Sequence, residues 1–274
     1  MVVVVVVAMS AFGWLPDTPD ARDYTRDTVM PFLRLTRAVG TDPLPVIVDL
    51  REGCSPVEQQ GRIGSCSAHA AAGVVEFMQR RVHAKYVDMS RRFVYKMTRQ
   101  RSGLSGDSGA SLRETMKTLV DAGAPPEALW PYDVDRFDDE PPAEVYAAAE
   151  RWQALTYYTL DPPGLSLDRV LDDLRRSIAA GIPAMFGFAV YGNWDRRSAV
   201  VPMPSSRDQQ VGGHAVVCVG YDDTQDLLLF RNSWGTAFGD AGYGWLPYAY
   251  LLRGLVQDIW CVLTQEWVET GAFA

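Results

Sequence analysis

The spacing of apolar residues changes at about Gly181, and this change limits the fold more than any other feature of the sequence. Before Gly181 apolar residues recur at helical spacing, whereas after it short β-rich runs alternate with turn residues. Helices followed by strands are typical of an α+β fold, here with two unlike halves that face one another across a cleft. The predicted helices cover residues 65–78, 111–123, 143–151 and 166–180, and the predicted strands cover 46–50, 183–191, 215–221, 227–231, 242–246 and 258–264.

Charge and composition exclude several classes of protein. The 274 residues include 34 acidic and 26 basic side chains, a net charge of −8, so binding of nucleic acid through a basic surface is not expected. Four cysteines are too few for a disulfide scaffold, and no apolar run approaches the ~20 residues that cross a bilayer. The three histidines do not combine with acidic residues into a metal site. We expect no nucleic acid, membrane or metal ion as a partner.

Residues 1–43 form an extension ahead of the regular pattern. The valine-rich run at residues 2–9 lacks the basic start and cleavage site of a signal peptide, and residues 10–45 are rich in proline. Trp14, Leu15, Phe32 and Leu33 are nevertheless too apolar for a free tail. We expect the extension to pack along the cleft or its flank, either as a short pro-segment that blocks entry until it is cleaved, which we favour, or as a permanent wall.

Cys66 lies at the predicted start of the long helix, directly after Ser65. The positive end of a helix dipole and its unpaired N–H groups stabilise a thiolate there. A lone cysteine is more often a small buried side chain. Three companions favour the catalytic interpretation instead.

The companions are an amide, an imidazole and a second amide. Gln60 precedes Cys66 in a glycine-containing loop, where a side-chain amide and a backbone N–H can form an oxyanion hole. His214 follows two glycines at the start of an apolar strand, and Asn232 ends the next strand, where its amide oxygen can orient the imidazole. Trp234 can cover that hydrogen bond and exclude water.

These residues and their neighbours resemble the papain-like cysteine peptidases, in particular bacterial members, from about Leu44 to Thr264. The matching blocks are P-V-E-Q-Q-G-R-I-G-S-C-S-A, D-S-G-A-S, L-W-P-Y-D, G-G-H-A-V-V-C-V-G-Y-D and R-N-S-W-G-x-x-F-G-D-x-G-Y. The resemblance implies a catalytic domain at residues 44–274, with a papain-like two-lobed fold. Its helical N-terminal lobe covers about 54–150 and its antiparallel β-barrel-like C-terminal lobe about 151–274, with the active-site cleft between them.

The resemblance implies a thiol-dependent endopeptidase that needs no cofactor and takes a peptide or protein substrate. Cys66 is the nucleophile of an acyl-cysteine mechanism, His214 moves the proton, and Asn232 orients His214. Gln60 and the Cys66 N–H stabilise the oxyanion. The residues implied in substrate binding are Gly109, which pairs with an extended peptide, Gly187 and Ala215, which line the main specificity pocket, and Trp234.

Several positions depart from the family pattern. Ile63 stands where the family has a cysteine, and Ser67 and His69 replace aromatic residues behind the nucleophile. With Cys66 catalytic, three cysteines remain, an odd number that cannot all pair within the chain. Together with the lack of a signal peptide, this favours a cytoplasmic location, with export left open.

Two other functions use the same residues. A transacylase or peptide ligase would pass the acyl group to an amine, and a degenerate peptide-binding protein would keep the fold without the catalysis. The second is less favoured because all four catalytic groups are retained. The acidic run at residues 133–140 is interpreted as a solvated loop, and a preference for basic substrates is the less favoured alternative.

Overall fold

A computed structural model describes residues 12–33 and 43–265 of the chain. The valine-rich run at residues 2–9, and with it the question of a targeting signal, lies outside the described residues, as do the side chains of Phe32 and Leu33. The helices are α1 (Arg26–Leu33), α2 (Cys66–His83), α3 (Arg91–Arg101), α4 (Leu112–Asp121), α5 (Ala143–Ala149), α6 (Leu167–Ala179) and α7 (Tyr248–Leu252). The strands are β1 (Ile47–Asp49), β2 (Thr156–Thr159), β3 (Ala184–Tyr191), β4 (Gln210–Asp222), β5 (Leu227–Arg231), β6 (Tyr243–Pro247) and β7 (Val256–Leu263).

The central helix α2 joins the two halves of the molecule. It is buried from Cys66 to Gln79, as its apolar composition predicts. Its first turns are rich in alanine, and these small side chains let the helix pack closely against β4. Ala84 ends the helix in a left-handed conformation. Cys66 is therefore fixed at the first residue of a rigid, buried element.

The predicted capping residues begin the smaller helices. Ser111 accepts a hydrogen bond from the Glu114 N–H (3.4 Å) at the start of α4, and Ser166 does the same for Arg169 at the start of α6. Residues 109–110 directly precede the Ser111 cap, so the start of α4 determines where they lie.

Strands β2 to β7 form one antiparallel sheet in the order β2-β7-β3-β4-β5-β6, with β1 paired to β4. Gly187 of β3 lies opposite Ala215 of β4, and Phe188 lies opposite His214. The sheet is open at β2 and at β6 over the described residues, rather than closed as a barrel. The mixed helical and antiparallel architecture confirms the predicted α+β class.

Some elements differ from the sequence prediction. Helix α3 was not predicted, because three of its arginines are buried and its apolar residues are few. The acidic run at residues 133–140 holds it: Asp138 pairs with Arg99 (2.9 Å), and Asp139 pairs with Arg92 (3.1 Å). That run therefore anchors a helix, while several of its carboxylates stay exposed, as the interpretation as a solvated loop predicts. Helix α1 likewise lies in a stretch predicted to be irregular, where prolines obscured an eight-residue helix.

Candidate active site

The Cys66 thiol is fully buried at the start of α2 and is surrounded by backbone N–H groups. The Ala215 N–H points at the sulfur from β4 (3.4 Å), and the Gly13 N–H donates to it from the N-terminal segment. The N–H groups of Ser67 and of Cys66 itself lie on the helix side. These donors favour a thiolate, but burial outweighs them and raises the pKa of Cys66 to about 11.

His214 is held in one orientation by its neighbours on the sheet. Its Nε2 lies 2.8 Å from the Asn232 Oδ1, and because an amide oxygen only accepts, the ring carries its proton on Nε2. Trp234 stacks on the imidazole, with ring centroids 4.6 Å apart and an angle of 28° between the ring planes. Nδ1 has no hydrogen-bond partner in the described part of the chain, so its lone pair is available. The next residue, Ala215, donates its N–H to the Cys66 sulfur, which brings this part of β4 to the thiol.

Burial also keeps the imidazole neutral in this state. The pKa of His214 is lowered to about 4, mainly by desolvation; the Asn232 hydrogen bond opposes this shift, and the Arg196 charge acts in the same direction as desolvation. A thiol with a raised pKa beside an imidazole with a lowered pKa is a neutral pair. The Cys66 thiol is thus uncharged as long as the pair is buried.

Gln60 lies in a buried loop directly ahead of Cys66. Its Oε1 accepts from the Ser233 hydroxyl (2.6 Å), its Nε2 donates to the Ile63 carbonyl (3.0 Å), and its backbone N–H donates to the Ser233 carbonyl (2.8 Å). Since Ser233 follows Asn232, the amide predicted for the oxyanion hole and the amide that orients His214 are tied to one strand end.

Residues 12–17, called the covering segment below, cross the cleft over the thiol. The Ala110 N–H donates to the Gly13 carbonyl (2.8 Å), and the Leu15 N–H donates to the Ala110 carbonyl (3.2 Å). On the other wall the Trp14 N–H donates to the Gly213 carbonyl (3.1 Å). The covering segment is therefore bonded to both halves of the molecule.

Glycines make this close approach possible. A Cβ on Gly13 would lie 1.9 Å from the Gly64 carbonyl oxygen, and a Cβ on Gly109, which has a φ of +76°, would lie 2.3 Å from the Gly13 carbonyl oxygen. Neither contact is sterically possible, so both positions need glycine. Gly109, predicted to pair with an extended peptide, lies next to the pairing residue, Ala110, and its own N–H binds the Tyr95 hydroxyl (3.0 Å).

The side chains of the covering segment fill the cleft on either side of the thiol. The centroid of the Phe12 ring lies 6.3 Å from that of the His214 ring and 6.2 Å from that of the Trp234 ring. The Trp14 indole lies against Gly187, where a Cβ would come within 2.0 Å of the ring. The structure thus places Gly187 beside the Trp14 ring, Ala215 at the thiol and Trp234 over His214.

Two residues of the cleft, Ala110 and Asp258, escaped the sequence analysis, and a third, Gly213, was predicted only as one of the two glycines ahead of His214. Ala110 and Gly213 bond the covering segment through their backbones, and the Asp258 carboxylate accepts from the Trp14 indole N–H (2.9 Å). The glycine pair at 212–213 was the one available signal, since it was predicted to open the cleft beside His214. No group of three or more His, Cys, Asp or Glu side chains within residues 12–33 and 43–265 is arranged to hold a metal ion. In the same ranges no helix has both the length and the apolar composition to span a membrane.

A family model described as the papain family cysteine protease matches residues 44–251 of the chain. The chain belongs to this family. The match spans every predicted site residue and confirms the predicted enzyme class, a cysteine peptidase. It begins after the covering segment, which lies outside the matched residues.

Individual relatives agree with the family model. The chain is 32% identical over 269 residues to an uncharacterized peptidase C1-like protein of Acanthamoeba polyphaga mimivirus, covering 92% of this chain and 86% of that protein. It is 30% identical to cathepsin S of Rattus norvegicus over 73% of this chain, but spans only 59% of that longer protein. Among solved structures, xylellain, a cysteine protease from Xylella fastidiosa, is 32% identical with a TM-score of 0.78, over 93% of this chain and 96% of that one.

Proposed function

We propose that the chain is a thiol endopeptidase that is made in a covered, inactive state, with residues 1–43 as a short pro-segment. The observation that carries the catalytic part is the hydrogen bond from His214 Nε2 to Asn232 (2.8 Å), which leaves Nδ1 free beside a thiol at a helix start. The papain-family relatives support the same chemistry.

With the cleft open, His214 Nδ1 takes the proton of Cys66, and the thiolate attacks the carbonyl carbon of a peptide bond. The negative oxygen of the tetrahedral intermediate is stabilised by the Gln60 amide and the Cys66 N–H. His214 then returns the proton to the leaving amine, and the C–N bond breaks to leave an acyl-cysteine. A water molecule, deprotonated by His214, hydrolyses the thioester and restores the thiol.

The direction of the covering segment supports an inhibitory role. The leaving amine of a substrate must lie beside His214, on the side where Phe12 sits, so the N-terminal part of the substrate runs toward the Trp14 site. The covering segment runs in the opposite direction, from Phe12 past the thiol to Trp14. A peptide in this reversed orientation does not direct its leaving nitrogen at His214, so it covers the thiol without being cut.

Burial of the catalytic pair supports the same conclusion. While the covering segment is in place, the pKa of Cys66 is raised to about 11 and that of His214 is lowered to about 4, mainly by desolvation. Removing the cover readmits water, which lowers the pKa of Cys66 and raises that of His214. The reactive ion pair then forms because the cover has gone.

The test uses Gly13→Val in the full chain. A valine side chain cannot fit where even a Cβ would lie 1.9 Å from the Gly64 carbonyl oxygen, so the covering segment is displaced. We expect hydrolysis of a fluorogenic peptide to rise at least about tenfold, the effect of losing ~1.4 kcal/mol of segment binding. Leu15→Ala is the matched control, since the Leu15 side chain is 37% exposed.

Two outcomes would contradict parts of the proposal. Equal activity of wild type and Gly13→Val would refute inhibition by the covering segment, and no hydrolysis by either, with a reactive Cys66, would refute the peptidase. Transfer of the acyl group to an added amine, in excess of hydrolysis, would identify the transacylase alternative.

We further propose that the protein works in a reducing compartment such as the cytoplasm. In support, Cys54, Cys66, Cys218 and Cys261 are all buried free thiols. Four titratable thiols in protein purified without reductant and then denatured would agree with this proposal, and two or fewer would contradict it.

A further inference from the structure

The Trp14 ring occupies a pocket that a substrate side chain must use once the cleft is open. Gly13 lies over the thiol, and Trp14 is the next residue toward the side that receives the N-terminal part of a substrate. The pocket therefore takes the residue that precedes the one whose carbonyl is attacked. Gly187 and Gly213 form two of its walls without side chains, and Cβ atoms there would lie 2.0 Å and 2.6 Å from the indole.

The far end of this pocket is a carboxylate. Asp258 Oδ2 accepts two hydrogen bonds from the covering segment, from the Trp14 Nε1 (2.9 Å) and from the Asp17 N–H (2.9 Å). Both donors leave with the covering segment. A carboxylate that loses its donors in a partly buried site needs new ones, so the open pocket favours a side chain with N–H groups at its tip.

The backbone places Asp258 there at a conformational cost. Its φ is +57°, in the left-handed region that non-glycine residues rarely adopt. The pairing of β3 and β7 slips by one residue at this point, since Met185 faces Trp260 while Gly187 faces Gln257. A bulge of this kind re-aims a side chain, and strain of this kind persists where the position is used.

The surroundings of Asp258 are negative. Asp258 also lines a cavity of about 410 Å³, which carries four carboxylates against one guanidinium. That guanidinium, Arg113, is already paired with Asp23 (2.6 Å), and Asp161 accepts from the Ile259 N–H (2.9 Å). The carboxylates and the guanidinium are those of Asp17, Asp23, Asp161, Asp258 and Arg113.

We propose that Asp258 is a specificity-determining residue of this peptidase, and that it selects substrates with arginine or lysine in the pocket that Trp14 now fills. A cationic tip replaces both lost donors and matches the charge of the site, which a neutral donor such as an indole does only in part. In the covered chain the uncharged Trp14 side chain then occupies the position of the substrate side chain. The selection of substrates by Asp258 rests on the proposed function, whereas the preference of the pocket for a cationic side chain does not.

The covering segment itself is the probe, because it is a tethered ligand of the pocket in the full chain. Trp14→Arg places a cation in the pocket, and Trp14→Met places a neutral side chain of comparable length there. The readout is the alkylation rate of Cys66 by iodoacetamide, measured by peptide mass spectrometry. The reagent reaches the thiol only when the covering segment lifts, so no catalysis is needed.

We expect Cys66 of Trp14→Arg to be alkylated about tenfold more slowly than Cys66 of Trp14→Met, as for one charge-assisted hydrogen bond. Adding Asp258→Asn, which keeps an acceptor but removes the charge, brings the ratio close to one. Trp14→Lys repeats the test with a second cation, and circular dichroism checks that each variant is folded. Equal rates for Trp14→Arg and Trp14→Met, or a difference that survives Asp258→Asn, would overturn the proposal.

A peptide arm separates this inference from the peptidase itself. In Trp14→Ala, we expect a peptide with arginine before the attacked residue to be cut about tenfold faster, in kcat/KM, than its citrulline analogue. Any competition from the covering segment lowers both values equally and leaves the ratio unchanged. If no peptide is cut while Trp14→Arg still protects Cys66, the peptidase fails and the pocket stands. If both peptides are cut equally and Trp14→Arg gives no protection, the pocket fails and the peptidase stands.

Discussion

The catalytic residues and the covering segment meet at the same thiol but are held there in different ways. Cys66 and Gln60 lie six residues apart, and His214 and Asn232 lie at facing ends of paired strands, all buried in the family's shared core. The covering segment is held by two backbone hydrogen bonds with Ala110 and one to Gly213, and by two hydrogen bonds to the carboxylate of Asp258, which is distant in the sequence. The catalytic residues are thus part of the buried core, whereas access to the thiol is controlled by a segment that a few contacts hold in place.

The largest expected effect tests the rigid side of this comparison. In the chain opened by Gly13→Val, His214→Ala removes the imidazole that we propose moves the thiol proton. We expect kcat/KM for a fluorogenic peptide to fall at least about 10³-fold. His83→Ala is the matched control, because His83 lies exposed in the last turn of α2 and should leave the rate unchanged. Substantial activity in His214→Ala would show that another base serves Cys66.

The next effect concerns the oxyanion. Gln60→Glu keeps the acceptor that binds the Ser233 hydroxyl but removes the amide donor. On the Gly13→Val background we expect kcat to fall about 10²–10³-fold with little change in KM, because the donor acts mainly on the transition state. Gln209→Glu is the control, because it makes the same charge change on an exposed side chain elsewhere in the chain. A loss confined to KM would assign Gln60 to ground-state binding instead.

Sequence reasoning could identify the catalytic residues because each carries a local signal. Cys66 follows a glycine-containing loop at a helix start, and His214 follows two glycines at the edge of a strand. Both signals depend on backbone geometry within a few residues. The same holds for α4 and α6, whose capping serines fixed their starts correctly.

The missing parts depend on contacts between distant residues. Trp14 and Asp258 are separated by 244 positions, and the bulge that turns Asp258 toward the cleft exists only once β3 and β7 have paired. Helix α3 was missed for the same reason. Arg92 and Arg99 of this helix are paired with carboxylates from residues 133–140, and the Arg99 guanidinium lies 4.2 Å from the centroid of the Tyr95 ring. The spacing of apolar residues in the sequence does not indicate such pairings, so it could not predict this helix.

The smallest expected effect sharpens the other side of the comparison, the charged anchor of the covering segment. Burial, with Asp17 nearby, raises the pKa of Asp258 from 3.8 to about 7 in the covered chain. Well below pH 3.8, the pKa of the unfolded chain, the carboxyl is protonated whether the chain is folded or unfolded, and its burial costs nothing. As the pH rises toward 7 the unfolded chain ionises first, so the folded chain loses stability over this range and none beyond it.

Asp258→Asn removes that loss while keeping an acceptor for the Trp14 indole. We expect its Tm to lie closest to that of wild type at pH 4 and to exceed it by about 2–4 °C at pH 7.5, the shift that ~1 kcal/mol produces in a chain of this size. Thermal unfolding followed by circular dichroism at pH 4, 5.5 and 7.5 measures the difference. Asp168→Asn is the control, because Asp168 is exposed in the first turn of α6. A Tm difference that is constant across these pH values would mean that Asp258 anchors the segment by hydrogen bonding alone, with no contribution from its charge.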